Sequence, residues 1–339
     1  SSTRSIGPVL NAEVQASPRV IAHRGASGYL PEHTREAVVL AHGMNVDFIE
    51  QDVVLSRDDV PVVLHDLTLN DVTDVAVRFP DRQRADGLWY VIDFDLTELR
   101  LLQVTERRSE KGPWKDNTRF PQGIGTFRIC TLSEQLELIR GLNRSRQQNV
   151  GICVELKQPQ FHRDAGKDVS RATLQTLTES GWDVADGATM LQCFDAAEVL
   201  RLRTELICSL PIVQLLSKAP SSEEMQQIGR VADAIGIPVG QVVTGAAAEG
   251  QPAITDVVQR AHQSALQVFV WTVRADALPA HAPNLETYVT WLVKEGGVDG
   301  IFSDHPDLIC RWRNRQTDEA SARGPFRLLN QRKPDAGDN

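Results

Sequence analysis

Eight short runs rich in apolar and β-branched residues recur along this chain of 339 residues, and most are separated by segments whose apolar positions follow helical spacing. The runs are RVIAHRG at 19–25, DFIEQDVVL at 47–55, GICVELK at 151–157, TMLQCFD at 189–195, PIVQLL at 211–216, DAIGIPV at 233–239, VFVWTV at 268–273 and GIFSDHP at 300–306. The clearest helical segments are TREAVVLAHGM at 34–44, TLSEQLELIRGL at 131–142 and LETYVTWLVKEGG at 285–297. Strands that alternate with helices indicate an α/β protein with a parallel sheet.

Eight parallel strands predict a closed (β/α)8 barrel, the TIM-barrel architecture, which typically takes about 250 residues before insertions. An open doubly wound sheet is the competitor, but the first strand lacks the G-x-G-x-x-G turn of a dinucleotide-binding fold. We therefore expect a single barrel domain over residues 18–312. Residues 66–130 are too long for a simple loop and are predicted to form a lobe inserted after the hairpin of the second strand. Residues 1–17 and 315–339 are polar and weakly patterned, so they are expected to be loosely ordered.

Charge and hydropathy exclude several classes of protein. The formal net charge is −9 and no Lys/Arg-rich run occurs, which argues against a nucleic-acid partner, although a local basic site for one phosphate is compatible with it. No apolar run approaches the roughly 18 residues that a membrane helix needs, so stable membrane insertion is not expected. The sequence begins SSTRS without methionine, which fits a trimmed chain or one whose signal peptide has been removed.

The cysteines indicate free thiols. They are five in number, widely spaced and mostly embedded in apolar runs: Cys130, Cys153, Cys193, Cys208 and Cys310. An odd number at such spacing predicts buried free thiols in preference to a disulfide framework, with a single bridge as the alternative. No C-x-x-C pair occurs, so a structural zinc site is not expected.

Charged side chains are concentrated at the ends of the predicted strands, where a barrel of this type carries its active site. Glu50 and Asp52 lie two apart on the second strand and must project to the same face, as must Glu155 and Lys157 on the third. Carboxylates that share a buried face repel each other and lose hydration, and a divalent cation with oxygen ligands offsets that cost. The alternative is a structural ion network of these carboxylates with Arg24 and Lys157.

Two histidines complete the pattern. His23 ends the first strand beside Arg24, and VVL at 53–55 and VPVVLH at 60–65 flank the turn-prone SRDD, which predicts a hairpin that returns His65 to the level of the carboxylates. Near neutral pH one imidazole can be neutral while another is protonated, as acid–base hydrolysis of a phosphodiester requires. Arg24 would supply a planar fork for the phosphate oxygens. No G-x-S-x-G occurs to suggest a serine nucleophile.

These motifs resemble a known family. They are HRG at 23–25, PEHT at 31–34, EQDVVLSRDDVPVVLHD at 50–66, ELK at 155–157, LQCFD at 191–195, VWTVR at 270–274 and GIFSDHPD at 300–307. Together they resemble the signature of the glycerophosphodiester phosphodiesterases, and the long insertion after HD resembles the long periplasmic bacterial form. The likeness spans most of residues 18–312. It implies metal-dependent hydrolysis of glycerophosphodiesters, such as glycerophosphocholine and glycerophosphoethanolamine, to sn-glycerol 3-phosphate and an alcohol.

The residues implied by the resemblance fall into three groups: the catalytic pair His23 and His65; the phosphate contacts Arg24 and Lys157; and the metal ligands Glu50, Asp52 and Glu155. The implied cofactor is one divalent ion, Ca²⁺ first and Mg²⁺ second. Phe194 and Trp271 are expected at strand ends, where they would either wall the glycerol pocket or pack in the core. Histidine replaces the commoner asparagine at position 33, and His33 either contacts the substrate or holds the loop. His162, after the third strand, is a further candidate for substrate contact.

Several alternatives stay open at this point. A rival enzyme is a phospholipase D-like or phosphoinositide phospholipase C-like barrel that acts on intact lipids, and a non-enzyme rival is a surface adhesin or binding protein that retains the fold. His23 as base and His65 as acid is the favoured order, with the reverse order open. The attacking oxygen is that of water or of the glycerol 2-hydroxyl. We expect a small-molecule substrate, a monomer or homodimer, and a periplasmic or secreted location.

Overall fold

The computed structural model describes residues 17–108 and 118–322. Its strands, in chain order, are β1 Arg19–Ala22, β2 Phe48–Leu55, β3 Pro61–Val63, β4 Gly151–Leu156, β5 Thr189–Cys193, β6 Ile212–Leu215, β7 Ala234–Pro238, β8 Val243–Ala246, β9 Pro252–Ile254, β10 Gln267–Val273 and β11 Gly300–Ser303. Strand β1 pairs in parallel with both β2 and β11, and the chain of parallel neighbours from β2 through β4, β5, β6, β7 and β10 to β11 closes the ring. The predicted closed eight-stranded barrel is therefore confirmed, and each of the eight runs supplies one strand.

The helices, in chain order, are α1 Arg35–Gly43, α2 Val75–Arg78, α3 Leu96–Leu99, α4 Leu132–Arg146, α5 Pro159–Asp164, α6 Val169–Glu179, α7 Ala196–Thr204, α8 Ser222–Ile228, α9 Val257–Gln263, α10 Leu285–Thr290 and α11 Pro306–Ala322. Polar caps fix where two of them begin. The Thr34 hydroxyl accepts a hydrogen bond from the Ala37 N–H at the start of α1. At α4, Thr131 and Glu134 form a reciprocal capping box, which satisfies two backbone donors that the first helical turn leaves free.

The alternation along the strands separates two apolar layers. Side chains inside the barrel form a small cluster: Ile21, Phe48, Cys153, Met190, Val213, Leu215, Ala234, Phe269 and Phe302. Neighbouring residues point outward instead, and Ile49 and Val53 of β2 pack with the helices in the larger outer cluster. Glu50 and Asp52 share the inward parity of Phe48, so strand alternation alone places two carboxylates above the apolar plug of the barrel.

The segment after the hairpin packs around its own apolar cluster, which we call the lobe and define as the described residues of 66–130. Strand β3 runs antiparallel to β2, with Val53 opposite Val63. Apolar residues of the lobe pack together and against Val54 and Val62 of the hairpin: Leu69, Val72, Val75, Trp89, Val91, Phe94, Leu99, Leu102, Val104, Phe127 and Ile129. The lobe is thus joined to the barrel through the hairpin that also carries His65. Residues 109–117 of the predicted insertion lie outside the described residues.

Helix α11 extends through residues 315–322, which corrects the expectation that loose order begins at 315. The helix continues because its earlier turns pack on the barrel, where Ile309, Cys310 and Trp312 are buried. Residues 1–16 and 323–339 lie outside the described part of the chain. Across 17–108 and 118–322, no helix is long and apolar enough to span a bilayer. All five cysteines are free and four of them are buried, as the sequence predicts.

Candidate active site

A sharp turn at the end of β1 directs two adjacent side chains to one place. Arg24 has φ +58° and Gly25 has φ +77°, so the chain leaves the extended conformation immediately after His23. A Cβ atom on residue 25 would lie 2.9 Å from the carbonyl carbon of Ala37, which explains glycine at this position. The turn lets His23 and Arg24 line the same cavity, although neighbours on a strand would point apart.

The β2–β3 hairpin supplies the second histidine. The Leu64 N–H donates to the carbonyl oxygen of Asp52 at 3.0 Å, which sets the residue after Leu64 at the height of the carboxylates. His65 therefore lines the same cavity, of about 140 Å³, as the sequence analysis predicts. Eight of the nine predicted site residues line it: His23, Arg24, Glu50, His65, Glu155, Lys157, Phe194 and Trp271. The ninth, Asp52, is buried beside them.

Each histidine is held by a carboxylate through its Nδ1 atom. His23 Nδ1 lies 2.6 Å from Asp304 Oδ1, and His65 Nδ1 lies 2.7 Å from Asp66 Oδ1. Burial lowers the pKa of His23 to about 4, against the opposing effect of Asp304. Burial and the Arg24 charge also lower the pKa of His65. The His23 ring is therefore neutral at neutral pH, with Nδ1–H donated to Asp304 and Nε2 free to accept a proton, whereas His65 can donate a proton from Nε2 only in its protonated form.

Glu50, Asp52 and Glu155 form a compact carboxylate cluster. One ligand atom from each lies within 4.8 Å of the others, and all three residues are buried. Burial and the neighbouring carboxylates raise the pKa of Glu50, and burial and Asp52 raise that of Glu155 to about 8. Asp52 differs because His33 and Lys157 hold its pKa well below the usual value despite burial. The fully ionised cluster would therefore carry more negative charge than its surroundings offset, and without a cation Glu50 and Glu155 tend to bind protons instead.

The hydrogen-bond donors around the three carboxylates do not satisfy all of their oxygens, so a cation could bind there. Glu50 accepts hydrogen bonds from the neutral Gln192 side chain at 2.7 Å and from the Arg24 backbone N–H at 3.0 Å. Lys157 Nζ lies 2.8 Å from Glu155 Oε1 and Arg24 Nε lies 3.7 Å from Asp52 Oδ2, so two ion pairs of the alternative structural network do exist. Asp52 Oδ1, however, is buried without a hydrogen-bond partner. An all-oxygen donor set with an orphaned carboxylate oxygen fits Ca²⁺ or Mg²⁺.

Arg24 and Lys157, the candidate phosphate-binding residues, are each held by a carboxylate. The Arg24 guanidinium lies 3.1 Å from the nearer Glu32 oxygen, which anchors its outer edge, and its Nε is buried without a hydrogen-bond partner. The Lys157 charge is maintained because Glu155 and Asp52 raise its pKa, although burial alone would lower it. Two fixed cations therefore border the carboxylate cluster.

An aromatic pair forms another part of the wall. Phe194 and Trp271 meet edge to face with ring centroids 6.0 Å apart, and both line the cavity. Phe194 is 44 % exposed, whereas the Trp271 Nε1–H is buried without a partner. The pair offers an apolar surface and one unused donor to a small molecule in the cavity.

Comparisons with known proteins identify the family of this chain. The model of the glycerophosphoryl diester phosphodiesterase family matches residues 23–308. The chain belongs to this family. A glycerophosphodiester phosphodiesterase of Haemophilus influenzae is 35% identical over 329 residues, covering 88% of this chain and 90% of that protein. One from Treponema pallidum is 33% identical over 321 residues, covering 85% and 90%. Family membership confirms the resemblance and identifies the chain as an enzyme of this type.

Solved structures of the glycerophosphodiester phosphodiesterase type share the fold. A putative glycerophosphoryl diester phosphodiesterase from Silicibacter pomeroyi superposes with a TM-score of 0.66 at 24% identity, covering 89% of this chain and 94% of that one. A phosphodiesterase from Oleispira antarctica, described in complex with the product sn-glycerol-3-phosphate, gives 0.63 at 22% identity, covering 88% and 97%. At these identities the likeness supports the barrel.

His33 and His162, the two further candidates for substrate contact, bond other groups. His33 is buried and its Nε2 lies 2.7 Å from Asp52 Oδ2, so it holds a carboxylate of the cluster and does not reach the cavity wall. His162 accepts a hydrogen bond from the Leu55 N–H and bonds the Gln158 carbonyl, so both of its ring nitrogens bond backbone. The candidate substrate contact at His162 is therefore wrong.

Six residues that were not assigned from the sequence hold the site residues in place. They are Glu32, Asp66, Arg107, Arg119, Gln192 and Asp304. The role of Asp304 could have been suspected from the sequence, because Asp304 ends the last predicted strand. Arg107 and Arg119 carried no such signal, since they lie in a lobe without strand or helix periodicity.

Because Glu106 of the lobe is buried, we expect its ionisation to lower the free energy of unfolding as pH rises. Burial and the neighbouring Glu32 charge raise its pKa from 4.5 to about 8, and its Oε2 has no partner. Between these values the folded state binds a proton that the unfolded state has lost, so this group lowers the free energy of unfolding as pH rises. Glu106→Gln should therefore be more stable than the native chain at pH about 8.5 and gain less at pH about 5. Urea unfolding at both pH values measures this, and an equal difference at both would contradict it.

Proposed function

We propose that this chain hydrolyses glycerophosphodiesters, such as glycerophosphocholine and glycerophosphoethanolamine, to sn-glycerol 3-phosphate and the free alcohol. The observation that carries the proposal is the pair of carboxylate-held histidines in one cavity with the Glu50, Asp52 and Glu155 cluster. Family membership and the neighbour with bound sn-glycerol-3-phosphate support the substrate class. Hydrolysis of a diester needs a base for the attacking oxygen and an acid for the leaving alkoxide, and two histidines supply both.

His23 acts as the base in this mechanism. Its Nδ1–H is donated to Asp304, so Nε2 takes the proton of the attacking oxygen, whether that oxygen belongs to water or to the glycerol 2-hydroxyl. In the second case the alcohol leaves and a cyclic phosphate forms, which water then opens to glycerol 3-phosphate. The ring lies deep in the cavity, with Nε2 3.8 Å from Glu50 Oε2. Asp304 stabilises the imidazolium that forms, because its own pKa is held well below the usual range by His23, Arg274 and Arg119 against the effect of burial.

His65 acts as the acid. Its side chain is 32 % exposed, so it lies nearer the cavity mouth, where the alcohol departs. Asp66 accepts a hydrogen bond from Nδ1–H, and the protonated His65 ring donates its Nε2 proton to the leaving oxygen and becomes neutral. Arg24 and Lys157 bind the non-bridging phosphate oxygens, and Phe194 and Trp271 pack against the glycerol moiety.

Glu50, Asp52 and Glu155 would hold one divalent cation, for which we propose Ca²⁺ first and Mg²⁺ second. When bound, the ion neutralises charge on the phosphate and polarises its oxygens. The orphaned Asp52 Oδ1 and the raised pKa values of Glu50 and Glu155 support this site. The periplasmic or secreted location and the monomeric or homodimeric state stay predictions.

The test compares substrate classes under controlled metal. Purified protein is treated with chelator and then supplied with Ca²⁺ or Mg²⁺, and product release is measured from glycerophosphocholine, lysophosphatidylcholine and intact phosphatidylcholine. We expect fast, metal-dependent release of glycerol 3-phosphate from glycerophosphocholine and much slower turnover of the lipids, because the cavity of about 140 Å³ is small. Preference for the intact lipid would favour a phospholipase, and absence of turnover on every substrate would favour a binding protein.

A further inference from the structure

Two arginines of the lobe reach into the barrel mouth behind the proposed catalytic groups. They are Arg107 and Arg119, whose side chains are only 12 % and 5 % exposed. Ion pairs buried to this degree contribute little net stability, because desolvation offsets most of the Coulomb attraction. Their contacts point to another role.

Arg107 bridges two carboxylates that each hold a different proposed catalytic group. Its Nε and Nη2 lie 3.0 Å and 2.6 Å from the two oxygens of Glu32, and Glu32 in turn anchors Arg24. Its Nη1 lies 2.7 Å from Asp66 Oδ2, whose other oxygen holds His65. One guanidinium therefore sets both the phosphate-binding cation and the proposed acid.

Arg119 bonds the carboxylate that holds the other histidine, His23. Its Nη2 lies 2.7 Å from Asp304 Oδ2, while Asp304 Oδ1 holds His23. Its Nε lies 2.8 Å from Asp276, and its Nη1 donates to the Ser27 carbonyl at 3.3 Å. The side chain thus ties together the loops that follow β1 and β10 and the end of β11. The planar fork reaches these three acceptors with three separate nitrogens, whereas the donors of a lysine all radiate from one nitrogen atom.

We propose that the lobe completes the active site through two positioning residues: Arg107, which fixes His65 and Arg24 through Asp66 and Glu32, and Arg119, which fixes His23 through Asp304. The inference rests on the proposed two-histidine mechanism and deepens it. It makes the lobe a part of the catalytic apparatus, because Arg107 binds the outer oxygen of Asp66, and Arg119 shares the outer oxygen of Asp304 with Arg274 of the barrel, whose Nε lies 2.8 Å from it.

The contacts predict different kinetic signatures for the two arginines. Arg119→Ala should lower kcat by roughly 10–100-fold and leave KM within about two-fold, because only the proton-transfer geometry changes. Arg107→Ala should lower kcat to a similar extent and also raise KM, because Glu32, the anchor of Arg24, is no longer held by Arg107. Arg82→Ala is the matched control: Arg82 pairs with Glu98 inside the lobe and touches neither histidine partner, so both constants should stay near the native values.

Double-mutant cycles test the assignment of each arginine to its histidine. Rates are measured with glycerophosphocholine in every variant. A glycerophosphodiester of p-nitrophenol, whose release is detected sensitively, is added for the comparison of Arg119 with His23 alone, because p-nitrophenolate leaves without protonation and does not report on His65. Arg119→Ala should cost less than about three-fold in a His23→Ala background and its full factor in a His65→Ala background; Arg107→Ala should show the reverse pattern in kcat. Equal factors in both backgrounds, or losses no larger than that of Arg82→Ala, would overturn the proposal.

The lysine variants keep the test decisive if an alanine variant does not fold. Arg107→Lys and Arg119→Lys retain the charge and lose the fork, so we expect the same pattern with smaller factors, in chains whose thermal unfolding is close to native. Native kcat in both would overturn the proposal. If the unaltered protein does not hydrolyse glycerophosphodiesters, the proposed function and this inference fall together. If it does and requires both histidines, additive arginine effects refute this inference alone.

Discussion

His23→Ala is expected to lower kcat for glycerophosphocholine hydrolysis by roughly 10²–10⁴-fold, with KM changed much less. The turn at Arg24 and Gly25 places the His23 ring in the cavity, and Asp304 Oδ1, 2.6 Å away, fixes its Nδ1 atom. The Nε2 atom therefore takes the proton from the attacking oxygen, and no other group replaces it in the variant. Steady-state kinetics on the purified variant, at saturating metal, provide the measurement.

A matched control separates this effect from the loss of any histidine–carboxylate pair. His262 Nε2 lies 2.8 Å from Asp299 Oδ2 and outside the cavity, so His262→Ala removes the same kind of contact at a remote place. We expect native kcat in that variant. Activity of His23→Ala within about ten-fold of native would show that another group removes the proton, and would refute the assigned base.

Asp52→Asn is expected to weaken the affinity for the divalent ion by at least about 100-fold and to abolish activity at low metal concentration. Asp52 is the member of the cluster whose pKa His33 and Lys157 hold well below the usual value despite burial, so it contributes a full negative charge. Asparagine keeps the shape and removes that charge. Calorimetric titration of the chelator-treated protein with Ca²⁺ or Mg²⁺ measures the change directly.

Two further measurements sharpen this prediction. Because an ion that binds only the folded state stabilises it, added Ca²⁺ or Mg²⁺ should raise the unfolding temperature of the native chain and not that of Asp52→Asn. Glu198→Gln is the control, since Glu198 is a buried carboxylate bound by Ser170 and Arg201, outside the cluster. Unchanged metal affinity in Asp52→Asn, or an equal loss in Glu198→Gln, would contradict the proposed ligand set.

The barrel and the centre of its site were predictable because both follow from local rules. Apolar runs interleaved with helical patterns predict parallel strands, and the period of two puts Glu50 and Asp52 on one face. The hairpin that returns His65 has a turn signal in SRDD, and the structure pairs β2 and β3 in the antiparallel sense that a hairpin requires. These features need no knowledge of distant contacts.

The supporting residues were not predictable by the same rules. Asp304 lies 281 positions from His23, and Arg119 lies 185 positions from Asp304. Nothing in the pattern of the lobe indicates where its chain returns to the barrel mouth. His33 shows the same limit: its position in PEHT indicates a loop, and only the positive φ of +60° and the packed backbone turn its ring towards Asp52.

The most direct measurement of the central claim is the identity of the products formed from glycerophosphocholine. Phosphorus NMR of a reaction with native protein and Ca²⁺ should show the diester resonance replaced by that of sn-glycerol 3-phosphate, with choline released in equal amount. His23→Ala and chelator-treated protein should leave the diester intact over the same time. Phosphocholine with free glycerol, or no product under any metal condition, would contradict the account.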